Sequence, residues 1–400
     1  MSPVAVRILH AEPGPQAGPL ERALIAARAE LAERHRRGFL AAGAADVRVI
    51  GGPPDDLSFG ARLRDIAVEA LDDGAGGIVV LGSGAVPLAT RGDRRAFLIA
   101  AAGSAPAALA NNVYSADIVA LAGATLLRDL RDLPDLPADN ALPRWLEEVA
   151  GVPVTARDRW RLGVDLDSPL DLLLLGRAAD VARLDAAGVT LDAVIALLER
   201  IRAILAERRA ELVVAGRTSA GTLRALEGGA ACRVRALVEE RGLRASSPLA
   251  LGDRGSEGVS RRRPPRSTLG LLVDRDGPAA LGALLAELGD GAVVDTRVLM
   301  AHRWGADERA WPRPEDRFAA DLLLPDYIAD PWLRALVTGL RDAPIPVLAG
   351  GHTLVGPGIR LLAARAAQRA RTGRTARKAQ MARTARNARD ERTAHAPRTP

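Results

Sequence analysis

Residues 163–176 read GVDLDSPLDLLLLG and place three carboxylates, Asp165, Asp167 and Asp171, within seven residues. If an apolar strand hands over to a helix here, Ser168 falls at the N-cap, Pro169 at the first helical position and Asp171 three residues after the cap. That is capping-box spacing, in which a hydroxyl and a carboxylate each satisfy a backbone donor left over at a helix start. Asp165 and Asp167 flank Leu166, and from a strand end both would offer oxygens to a hard cation such as Mg2+, which is commonly shared with substrate phosphates. Asp165 and Asp167 are then either metal ligands, with Asp165 also at the chemistry, or Asp167 and Asp171 only cap a helix while Asp165 is solvated.

Outward from this stretch, short apolar runs alternate with segments of helical spacing. VAVRIL (4–9), DVRVI (46–50) and GIVVL (77–81) read as strands, with helices over 20–42 and 59–72 between them. The third run is apolar throughout, as in a strand buried on both faces of a parallel sheet. A helix over 94–102 follows, then NNVYSAD (111–117) ahead of the apolar run IVAL. The small polar groups and single aromatic predict a ligand-facing loop of Asn111, Asn112, Tyr114, Ser115 and Asp117. Helices are expected over 121–133 and 191–212, the second as a connector.

A second series starts with the strand LVVA (212–215), after which Arg217, Thr218 and Ser219 open a helix. Backbone donors there would attract phosphate, or Thr218 and Ser219 would simply cap the helix. A strand at 233–238 precedes a Gly-, Ser-, Pro- and Arg-rich stretch over 246–266 that reads as a mobile loop. AVVDTRVLM (292–300) reads as a strand carrying Asp295 and Arg297, and GGHT (350–353) as a glycine-rich loop presenting His352. Asp295, Arg297 and His352 are candidate catalytic groups at strand ends, and the alternative is an internal ion-pair network. The alternation as a whole predicts an α/β chain: two Rossmann-like three-layer α/β/α domains, residues 1–205 and 206–365, and a disordered basic tail over 366–400.

Composition narrows the function classes. The net charge of +6 is local, because ten Arg or Lys against two acidic residues lie from Gln368 onward, leaving the rest at −2. The tail could bind polyanions without specificity, but it has no aromatic stacking residues, so no specific nucleic-acid partner is expected. The single cysteine, Cys232, excludes an intrachain disulfide and a cysteine-cluster zinc site. No run approaches the roughly 20 apolar residues of a membrane span, and nothing reads as a signal peptide, so a cytoplasmic protein is expected.

Three segments together resemble the nucleotidyltransferases of the MobA-like and phospholactate guanylyltransferase group, which have a glycosyltransferase-A type fold. GIVVLGSGAVPLAT (77–90) looks like the family's third strand and turn, where a metal-binding Asp precedes a Pro. NNVYSAD stands in the place of the acceptor loop, and GVDLDSPLDLLLL (163–175) is similar to a late D-x-D-x-P-x-D segment whose first acidic positions include a second metal ligand. The resemblance covers about residues 1–205. It implies Mg2+-dependent transfer of a nucleotidyl group from a nucleoside triphosphate to a small phosphorylated or acidic acceptor.

The chain departs from that pattern twice. The loop HAEPGPQAGPLER (10–22) has no basic residue before Arg22, where the family wraps phosphates with a Gly-rich basic loop, and Gly84 or Ala85 stands where the metal Asp belongs. Either Asp117 and Asp165 rebuild the metal site, or a degenerate scaffold binds a nucleotide or phosphorylated small molecule without turnover. A separate activity of the second half on a phosphorylated small molecule is a third alternative.

Overall fold

Strand β1 (Val4–Ala11) turns Val4, Val6 and Ile8 to one side and Ala5 to the other, and β3 (Gly77–Gly82) does the same with Val79 and Leu81 against Ile78 and Val80. Both faces are apolar because both are covered. Helices α1 (Pro19–Ala42) and α3 (Arg91–Ala101) bury Phe39, Phe97 and Leu98 on the first side. Helices α2 (Phe59–Asp72), α4 (Ala124–Asp129) and α5 (Leu142–Glu148) bury Leu63, Leu127 and Leu146 on the second. In the computed structural model the described residues are 2–114, 116–137, 139–239, 266–305 and 307–368.

The first sheet has the order β2-β1-β3-β5-β4-β6, with β2 (Asp46–Gly52), β4 (Ala107–Ala110), β5 (Ile118–Ala122) and β6 (Val154–Ala156). Strand β5 runs antiparallel to both neighbours and every other pair is parallel. This reversal has a functional consequence. It brings the 111–117 loop to the carboxyl ends of β1 and β3, where the Gly82 N–H donates to the Asp117 carbonyl at 3.3 Å.

The second sheet is parallel throughout, in the order β10-β9-β7-β8, with β7 (Glu211–Gly216), β8 (Arg233–Val238), β9 (Gly291–Asp295) and β10 (Val347–Gly350). Its core draws on α6 (Pro169–Leu175), α7 (Ala178–Ala186) and α8 (Asp192–Ala206), through Leu172, Leu184 and Leu198. It also takes Leu20, Leu24 and Leu31 from α1, so that helix belongs to both halves. Later helices are α9 (Ala220–Gly229), α10 (Thr268–Asp276), α11 (Leu281–Ala286), α12 (Thr296–Trp304), α13 (Pro314–Asp321) and α14 (Pro331–Arg341), and residues 352–368 are again helical.

Three expectations about elements are corrected. AVVDTRVLM is not one strand: β9 stops at Asp295, whose carboxylate accepts from the Arg297 N–H at 3.1 Å and starts α12. A short acceptor side chain at a strand end caps a helix as readily as it interrupts a strand, and the apolar pattern does not distinguish the two. Residues 121–133 are the end of β5, Gly123 at φ 91°, and α4 followed by a short 3-10 turn. The helix expected over 191–212 is α8, ended by an extended Glu207 before β7. The expectations for Ser115, for the tail beyond residue 368 and for nearly all of 246–266 lie outside the described residues, whereas 366–368, expected to be disordered, are helical. Among the described residues no helix is long and apolar enough to cross a membrane.

Candidate functional site between the two sheets

Two adjoining cavities, about 460 and 520 Å3, open where the carboxyl ends of the two sheets meet. Arg28, Asp117, Asp139 and Asp165 line both. The smaller cavity continues onto the second sheet, past Asp167, Arg217, Arg297, Arg317 and His352. The larger one stays on the first sheet, beneath His10, Ser83 and the bare backbone of Gly51, Gly52, Gly82 and Gly84, with Ile50, Leu57 and Phe59 beside them.

Asp165 is held from three sides. It pairs with Ala85 in an isolated antiparallel bridge, and the Leu166 N–H donates to the Gly84 carbonyl at 3.1 Å. From the second sheet, the Thr353 hydroxyl accepts from the Asp165 N–H at 3.3 Å and donates to its carbonyl at 3.2 Å. The carboxylate itself takes the Leu166 N–H at 2.8 Å. The segment is therefore coil against the 82–87 turn rather than a strand end as expected, because the short 3-10 turn Trp160–Gly163 precedes it. Asp171 accepts from the backbone N–H of Asp167 (3.0 Å) and Ser168 (2.8 Å), so its capping role is real.

Asp117 is fixed by Asn111, whose amide donates to its carboxylate at 2.7 Å and accepts from its N–H at 2.9 Å. Asp139 accepts from the Asn140 N–H at 2.8 Å. Burial pushes the carboxyl groups of Asp117 and Asp165 well above the usual range. For Asp117 the charges of Asp139 and Asp167 add to the effect, and for Asp165 those of Asp167 and Asp117. Asp139 is pushed up to about 6, by burial first and then by Asp167. Arg28 opposes the rise at Asp165. Four carboxylates thus crowd one seam and disfavour one another's charge, which is the electrostatic setting that a divalent cation relieves.

Among the described residues no three His, Cys, Asp or Glu side chains form a ready-made metal cage. The donor set fits instead a cation held by one or two carboxylates and completed by water and phosphate oxygens, the usual arrangement for Mg2+. Asp117 and Asp165 stand at the 82–87 turn. A Cβ on Gly84 would lie 3.1 Å from an Asp165 oxygen.

The candidates of the second half are brought to the same cavity, largely as partners of one another. Arg217 reaches Asp295 through two hydrogen bonds, 2.6 and 3.0 Å, and Arg297 grips Asp321 at 2.8 and 2.6 Å. Burial raises the Asp295 carboxyl, but Arg217 outweighs it and holds the group below its ordinary range. Asp321 likewise outweighs burial at Arg297 and keeps that guanidinium charged. Gly216 makes the approach possible: at φ 129° its Cβ would run into the Asp295 side chain. His352 opens the helical stretch 352–368 rather than sitting in a free loop, and its Nδ1 lies 3.6 Å from an Asp167 oxygen.

Of the described residues of the expected acceptor loop, only Asp117 lines the two cavities. Asn111 is buried behind it, Asn112 accepts from the Tyr114 N–H at 2.8 Å, and the half-exposed Tyr114 stacks under Arg144. Ser219 caps α9 by accepting from the Thr222 N–H at 3.1 Å, and Thr218 is buried beside it. Sequence reasoning missed Arg28, Asp139, His10 and Ser83. For Arg28 a signal existed, since a cation sits within the otherwise apolar run Leu20, Leu24, Ala27 and Leu31. His10 Nδ1 and Ser83 Oγ meet at 3.0 Å only because β1 and β3 are neighbours, which no local pattern reveals.

No family model and no curated protein matches the chain. Among solved structures, a provisionally assigned nucleotide-diphospho-sugar transferase from Desulfovibrio desulfuricans G20 aligns with 47% of this chain and 97% of its own, at 17% identity and a TM-score of 0.31. A likeness of that extent carries no conclusion about this chain, whose α/β architecture rests on its own two sheets.

Proposed function

We propose that the protein is a Mg2+-dependent nucleotidyltransferase that joins a nucleotidyl group from a nucleoside triphosphate to a small phosphorylated or acidic acceptor. The observation that carries this reading is the meeting of Asp117, Asp139 and Asp165 at the seam of two cavities, with Asp167 beside them in the smaller one. The glycine-floored cavity on the first sheet suits a flat base and its ribose, since bare backbone lets a ligand approach closely. The cavity that reaches the second sheet suits the acceptor. Each sheet with its helices then acts as one unit, the first for the nucleotide and the second for the acceptor.

Bound at Asp165 with Asp167 or Asp117, Mg2+ would neutralise phosphate charge and orient the α-phosphoryl group. An acceptor oxygen attacks the α-phosphorus, the bond to the bridging oxygen of the leaving pyrophosphate breaks, and pyrophosphate departs. A phosphate or carboxylate acceptor is already ionised and needs no base. An acceptor hydroxyl would pass its proton to the Asp167–His352 pair, 3.6 Å apart. Arg217 and Arg297, locked by Asp295 and Asp321, shape the acceptor wall as fixed charges rather than mobile clamps.

Those locked guanidinium groups favour one second reading, a binding protein without turnover. Thermal unfolding with and without Mg2+ across the common nucleoside triphosphates tests the proposal. A ligand that binds only the native state adds about 2.7 kcal/mol at a hundred times its dissociation constant. A Mg2+-dependent rise with one nucleotide, lost in Asp165→Asn and accompanied by pyrophosphate release, supports transfer. The same rise without pyrophosphate release under any acceptor supports the binding protein, and no rise with any nucleotide refutes both transfer and nucleotide binding.

A further inference from the structure

We infer that Arg28 is the anion-binding residue of this site and holds a phosphate oxygen of the ligand where the two cavities meet. The inference rests on the nucleotide reading above for the identity of that ligand. It stands on the geometry of one guanidinium.

Among the described residues Arg28 is the only cation that lines both cavities. The other guanidinium groups on the walls are already matched to carboxylates. Arg217 and Arg297 are bidentate on buried Asp295 and Asp321, Arg317 donates to Glu308 at 2.8 Å, and Arg62 is paired with Asp55. The strong bond of Arg28 goes elsewhere: its Nε–H donates to the neutral Leu166 carbonyl at 2.6 Å. The nearest carboxylate, Asp167, stands 3.5 Å from Nη2, beyond a good charge-assisted bond.

A guanidinium anchored through Nε to a carbonyl keeps its terminal N–H groups aimed, and its ion pair is the long 3.5 Å contact with the half-exposed Asp167. That is the preorganised fork that suits phosphate. Arg28 comes from the middle of α1, two turns past the loop, and the loop before that helix carries no basic residue of its own. Around it the seam is acidic. An anion would therefore be drawn in only at this one cation, or together with a divalent ion on Asp165.

Calorimetric titration of the full-length chain with inorganic tripolyphosphate, with and without Mg2+, provides the test. Arg28→Ala should weaken binding roughly tenfold to a hundredfold, the range of a lost charge-assisted hydrogen bond. Arg28→Lys, which keeps the charge but loses the fork and its bond to Leu166, should recover only part of that loss. Arg36→Ala, on the solvated side of α1, should bind as the parent does. Equal binding by the parent and Arg28→Ala overturns the inference, and so does no tripolyphosphate binding at all. Equal losses in Arg28→Ala and Arg28→Lys, with a matching fall in unfolding temperature, also overturn it, because Arg28 would then only brace the Leu166 segment. The metal reading fails separately, if Asp165→Asn binds tripolyphosphate with Mg2+ as tightly as the parent.

Discussion

Asp139→Asn should stabilise the metal-free protein at alkaline pH and leave it unchanged in acid. The Asp139 carboxyl rises from its ordinary 3.8 to about 6 in the fold. At about 1.4 kcal/mol per tenfold, that displacement is worth at most about 3 kcal/mol. The group faces a cavity open to water, so screening reduces the usable effect to about 1–2 kcal/mol. Because the folded value lies above the unfolded one, the native state keeps its proton longer. The stability this brings is complete below about pH 4 and is lost as pH rises through about 6.

Asparagine is neutral throughout and can still accept the Asn140 N–H, so it escapes the loss. Differential scanning calorimetry in chelator-treated buffer should show coincident transitions near about pH 4. The variant should unfold roughly 1–3 °C higher near about pH 8. Adding Mn2+ should then raise the parent more than the variant, since the cation has one carboxylate fewer to neutralise in the variant. Destabilisation of the variant near about pH 8, or equal stabilisation at both pH values, would refute the idea of mutual repulsion at the seam.

Asp321→Ala should cost about 3–5 kcal/mol in urea unfolding, because it strands the buried Arg297 charge, and the pair Arg297→Met with Asp321→Leu should recover most of it. A cost below about 1 kcal/mol would mean that water already reaches the guanidinium. Gly18→Ala should cost about 0.5–2 kcal/mol, since its Cβ would collide with the Glu315 carboxylate that accepts from the N–H of Leu20 (3.1 Å) and Glu21 (3.0 Å) at the start of α1. Adding Glu315→Ala to Gly18→Ala should cost little more, and full additivity in the double-mutant cycle would show that the two positions act separately.

The sequence carried the alternation of strands and helices because each element has its own period and punctuation. Phe59–Asp72 has the bounds its spacing predicts. The capping role of Asp171 was likewise local chemistry, and local chemistry is readable. What escaped was set by neighbours distant in sequence. The antiparallel placement of β5 decides that Asp117 meets Asp165, and the contact of Thr353 with Asp165 joins residues 188 positions apart. Asp295 and Arg297 were visible as charges in an apolar run, yet only the helix start at Thr296 shows that each serves a different partner.

Helix α1 sends Leu24 and Leu31 into the core of the second sheet and Phe39 into that of the first. Its N-terminus, meanwhile, is closed by Glu315 from α13. The halves are therefore not exchangeable cassettes. A fragment ended at residue 205 would carry an oily stripe with nothing to cover it, and a grafted second half would need its own matching carboxylate and leucine sockets. Recombination that keeps the chain foldable must move α1 with both sheets, so the two walls of the site travel as a single heritable unit.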